Sequence, residues 1–63
     1  MNYKYRITTI LAVVSWQELI KAVFPAYDGQ LAEFNGSNLL HVTFDAEQTP
    51  VDLGPLVKVE RIS

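Results

Sequence analysis

Residues 14–25 are the one stretch of this chain whose apolar side chains recur with a helical period, so the remaining segments must provide something to cover them. Trp16, Leu19, Ile20, Val23 and Phe24 fall at i, i+3, i+4, i+7 and i+8, a broad stripe along one side of a helix. Gln17, Glu18 and Lys21 form the wet side. Ser15 and Glu18 have the spacing of a capping box, in which the serine hydroxyl accepts from the Glu18 amide and the glutamate accepts from the Ser15 amide. Val14 before the cap and Leu19 inside the helix are spaced as a hydrophobic staple. Pro25 closes the element, because it has no amide proton and disfavours helical geometry in the residue before it. A stripe this wide needs a sheet or a partner against it.

The rest of the chain supplies a sheet. Residues 3–11 are aromatic, β-branched and alternating: Tyr3, Tyr5, Ile7, Thr9 and Leu11 share one face, Lys4, Arg6, Thr8 and Ile10 the other. After Pro25, Asp28-Gly29 is turn chemistry. Residues 30–34 then form a short second strand, and Asn35-Gly36-Ser37-Asn38 joins it to a third in a hairpin. In residues 39–45, Leu40, Val42 and Phe44 oppose Leu39, His41, Thr43 and Asp45. Residues 46–55 carry two prolines and one glycine and have neither period, so they form a long irregular segment. Alternation returns in residues 56–62, where Val57 and Val59 oppose Lys58 and Glu60. The order β-α-β-β-β predicts an α+β fold, one helix packed on a four-stranded, mainly antiparallel sheet. If the first two strands lie parallel in it, the crossover between them is right-handed. The C-terminal strand is a candidate sheet edge, with Lys58, Glu60 and Arg61 guarding it against promiscuous pairing.

Sixty-three residues make a single small α+β domain spanning 1–63, near the lower limit at which a core alone holds a chain folded. No cysteine is present, which removes disulfide staples, thiolate metal ligands and a cysteine nucleophile. Stability has to come from packing, and a 49% hydrophobic content exceeds what so small a body can hide. Apolar surface left over in this way implies an interface with another protein or a second copy. The basic start and apolar run at Lys4–Val14 have the outline of a short signal peptide, but two threonines interrupt the run and cleavage near Ser15 removes a strand. The run is also far short of the ~20 residues of a membrane span. A cytoplasmic protein with no membrane association is expected.

Catalytic constellations are hard to assemble. His41 is the only histidine, and Asp45 on the same strand face lies ~13 Å away along the axis, beyond direct hydrogen bonding. Ser15 is taken as a cap, Ser37 by a turn, and Ser63 is terminal. Asp45, Glu47 and Asp52 lack the spacing of a calcium loop, and Gly29, Gly36 and Gly54 stand alone with no phosphate-cradling pattern. The sequence therefore points to no catalytic residue, no metal and no cofactor. Tyr3-Lys4-Tyr5-Arg6 interleaves rings and cations as base-stacking surfaces do, but alternation puts the rings and the cations on opposite faces. Five basic residues against seven acidic ones also give little counterion release, so nucleic acid is disfavoured.

Taken together, the sequence predicts a small non-enzymatic interaction module, an adaptor, inhibitor or host-directed regulator, binding a larger protein through a sheet face or edge. The candidate partner-binding residues are Trp16, Lys4, Arg6, His41, Lys58 and Glu60, with Trp16 either a core anchor or an exposed hot spot. The alternatives are a self-assembling structural protein, or a weak nucleic-acid binder using Lys4, Arg6 and the sheet face.

Overall fold

In the computed structural model, which describes residues 2–13 and 15–63, the alternating segments become β1 (Tyr3–Thr9), β2 (Ala32–Phe34), β3 (Leu39–Phe44) and β4 (Val57–Arg61), with α1 (Trp16–Val23) between the first two. They form one four-stranded sheet in the order β2-β3-β1-β4, in which every neighbouring pair is antiparallel. The fold is α+β, a single helix packed on a sheet. β1 and β2 run parallel but never touch, because β3 lies between them. β2 and β4 are the two edges.

The helix period and the strand period meet in one core. Tyr5 and Ile7 of β1 and Leu40, Val42 and Phe44 of β3 pack against Ile20, Val23 and Phe24, all essentially inaccessible to water. Three rings sit at its centre: Phe24 and Phe44 lie 4.9 Å apart, and Tyr5 meets them edge-on at 5.0 and 5.7 Å. Such edge-to-face pairs add to the burial energy of the rings themselves.

Residues 46–55, irregular as expected, act as a second cover on the helix side of the sheet. The Tyr5 hydroxyl donates to the Gln48 carbonyl at 2.9 Å and accepts from the Gln48 amide at 2.7 Å. The Val51 amide donates to the Val23 carbonyl at 2.8 Å, satisfying one of the orphan acceptors at the helix end. Near the strand that follows, Asp52 accepts from the Gly54 amide at 2.9 Å, and Gly54 takes φ +95° in the turn, a conformation that suits glycine.

Several local expectations need correction. The Ser15–Glu18 capping box does not form: Ser15 sits at the N-cap with extended backbone but makes no side-chain cap bond, and only its carbonyl is used, by the Leu19 amide at 3.3 Å. Both side chains are exposed, where water competes for the same bonds. The Val14 half of the staple lies outside the described residues. β1 ends at Thr9 rather than residue 11, because the Thr9 hydroxyl donates to the Leu11 carbonyl at 2.6 Å and the chain bends. Leu11, placed on the core face by alternation, is consequently 71% exposed. β2, β3 and β4 are each shorter than the alternation suggested.

Candidate functional site

The face of the sheet away from the helix is where the polar half of each strand alternation converges. Register pairs Arg6 with His41 on one side and with Glu60 on the other, and pairs His41 with Glu33. One row of side chains thus crosses all four strands: Glu33, His41, Arg6, Glu60. Residues directly opposite in antiparallel strands lie close enough for their side chains to interact. The next row holds Leu39, Thr8 and Lys58, and on the far side Thr43 faces Lys4.

The contacts within the row follow from this register. Arg6 Nη2 donates to Glu60 Oε2 at 3.1 Å, and Lys58 Nζ reaches Glu60 Oε1 at 3.2 Å from two residues along the same strand. These two cations, Lys58 foremost, hold the Glu60 carboxyl below its ordinary range. At the other end Asn35 Nδ2 lies 2.9 Å from His41 Nδ1. An amide donating to Nδ1 leaves the ring hydrogen on Nε2, which is buried and has no partner among the described residues.

Apolar residues bracket this polar band. The Ile10 amide donates to the Leu56 carbonyl, the Thr43 amide to the Leu31 carbonyl and the Ile62 amide to the Lys4 carbonyl, each extending a ladder by one residue. The alternation carried through those bonds puts Leu31 and Ile62 at one end of the face and Ile10 and Leu56 at the other. All four are substantially exposed, from 40% at Ile62 to 74% at Leu31.

Five of the six expected binding residues, Lys4, Arg6, His41, Lys58 and Glu60, therefore share one face. Trp16 does not join them. It lies on the helix side beside the β2 edge, half-buried, with its ring 6.4 Å from that of Phe34. Trp16 and Phe34 line a small hollow of about 280 Å³ with Gln17, Ile20, Tyr27 and Ala32. At the first turn of the helix the tryptophan overhangs a three-residue edge strand and packs, half-buried, against the core. Arg61, expected beside Lys58 and Glu60 at the C-terminal edge, lies on that edge strand but on its other face. It belongs to the helix-side alternation, bonded to Glu47 at 2.8 Å and set over the Tyr3 ring at 5.8 Å.

Sequence reasoning places Ile10 and Leu39 on the outer face but misses Leu31 and Leu56, whose strands have no register with their neighbours until the sheet order is known. It also missed Asn35 as the partner of His41; the six-residue separation across a hairpin turn was the available signal. Among the described residues, no group of three or more histidine, aspartate or glutamate side chains is placed to hold a metal ion, and no helix is long and apolar enough to cross a membrane. No family model, curated protein or solved structure matches this chain.

Proposed function

We propose that this chain is a non-enzymatic, cytoplasmic interaction module that binds a larger protein through the outer face of its sheet. The observation that carries this reading is the banded arrangement of that face, in which exposed apolar residues at both ends flank a cross-strand polar row. Apolar area gives affinity to an interface, while fixed charges steer encounter and register. Of the basic residues on β1, Arg6 is already neutralised by Glu60. That leaves a poor surface for the phosphate contacts on which nucleic-acid affinity depends.

The test compares two tagged proteins in lysate of the source cell, with and without nuclease, read by mass spectrometry. One is the native chain and the other Lys4→Ala/His41→Ala, which removes two side chains of the outer face and leaves the Arg6–Glu60 pair intact. The expected result is one stoichiometric protein partner that survives nuclease and falls at least tenfold with the variant, while circular dichroism shows both chains folded. A partner retained equally by the variant removes the outer face from consideration. Recovery of nucleic acid alone overturns the protein-binding reading.

A further inference from the structure

We infer that two copies of this chain associate through antiparallel β4–β4 pairing about a two-fold axis at Val59, joining two four-stranded sheets into one of eight strands.

The backbone is set for it. In an antiparallel ladder, hydrogen-bonded and non-hydrogen-bonded pairs alternate. The Ile10–Leu56 and Ile62–Lys4 bonds at the two ends of the β1–β4 ladder fix which β4 residues bond inward: Leu56, Lys58, Glu60 and Ile62. The main-chain groups of Val57, Val59 and Arg61 therefore point away from β1, and among the described residues no strand lies on that side; the Val57 amide already donates to the Gly54 carbonyl at 3.4 Å, which leaves the Val57 carbonyl and both main-chain groups of Val59 and Arg61 to pair. A two-fold axis at Val59 makes Val59 bond Val59 of the second copy in both directions, and Arg61 donate to Val57. In this register the outward-facing groups oppose one another.

The side chains agree with the backbone. In that register Lys58 faces the second copy's Glu60, Glu60 faces its Lys58, and Leu56 faces its Ile62, all on the outer face. Both charge pairs are complementary, and Leu56 and Ile62, 56% and 40% exposed in the single chain, cover each other. Shifting the axis by one residue brings Lys58 opposite Lys58 or Glu60 opposite Glu60, so like charges penalise both neighbouring registers. The other edge has no such property. β2 offers only three residues, Ala32–Phe34, with a single charge, Glu33, that an axis at the strand centre sets against itself. Edge charges usually oppose pairing; on β4 their order makes them select one partner strand.

Purified protein alone tests this, so the result stands whether or not a larger partner is found. Sedimentation equilibrium over a rising concentration series gives a species of twice the chain mass for the native protein. Lys58→Glu and Glu60→Lys, each of which sets like charges across the axis, remain monomeric at concentrations where the native chain is mostly dimer. An equimolar mixture of those two variants recovers the dimer, because acid then faces base at both positions. The double variant Lys58→Glu/Glu60→Lys recovers it alone. Val59→Pro, which removes a donor aimed at the second copy and none used within the sheet, stays monomeric with a native circular dichroism spectrum. A native chain that is monomeric throughout the series overturns the proposal. So do folded single-charge variants that dimerise like the native chain, or a mixture that fails to recover.

Discussion

The two faces of the central strands are made of alternate residues of the same segments, yet they obey different rules. On the helix side Tyr5, Ile7, Leu40, Val42 and Phe44 are sealed from water, and their energy comes from contact with one another and with the helix. On the outer side Lys4, Arg6, His41 and Thr43 are half-buried, and what they do depends on which strand lies beside them. Burial needs only the right residue type at the right parity, whereas a polar surface needs the right neighbour.

The largest expected effect breaks the comparison at adjacent residues. Phe44→Ala removes a ring that meets Phe24, Tyr5 and Tyr27 and should cost about 3–5 kcal/mol. A chain of this size has roughly 3–9 kcal/mol in total, so the variant should lose a large share of its stability. Thr43→Ala, one residue earlier on the opposite face, should cost under about 1 kcal/mol. Urea denaturation followed by circular dichroism gives both values. Similar losses at the two positions would mean that the outer face is packed rather than open.

A smaller effect sharpens the dry side itself. Tyr5→Phe keeps the ring contacts with Phe24 and Phe44 but removes the hydroxyl that both donates to and accepts from Gln48. The expected loss is about 1–2 kcal/mol, the usual cost of stranding buried polar groups. It should be accompanied by faster protease cleavage within residues 46–55, since that bond pair ties the irregular segment down. Unchanged stability and unchanged cleavage would show that Val51 and Glu47 suffice to hold it.

This asymmetry also explains how much was legible in the sequence. The helix, the four strands, the hairpin and the composition of the core follow from period and turn residues, because Leu40, Val42 and Phe44 are inward whatever strand stands next to them. Strand order does not follow, since nothing local states that β1 lies between β3 and β4. Without it, Arg6, His41 and Glu60 are three charged or titratable residues on unrelated segments rather than one row. The capping box failed for the complementary reason. Ser15 and Glu18 have the spacing, but an exposed first turn gains little from a bond that water replaces.

The smallest expected effect lies in that row and separates the faces by pH, since the buried set contains no group that titrates in acid. Glu60 is held below its ordinary value of 4.5 by Lys58 and then by Arg6. Its depressed folded value means that the carboxylate adds stability at pH above about 4.5, and this contribution fades as pH falls through the folded value. Glu60→Gln should therefore melt slightly below the native chain at neutral pH, and the two curves should converge in acid. The comparison belongs at dilute concentration, where self-association does not contribute to melting. A difference that is constant with pH would assign the role of Glu60 to its shape, whereas convergence in acid assigns it to the charge that Arg6 and Lys58 share.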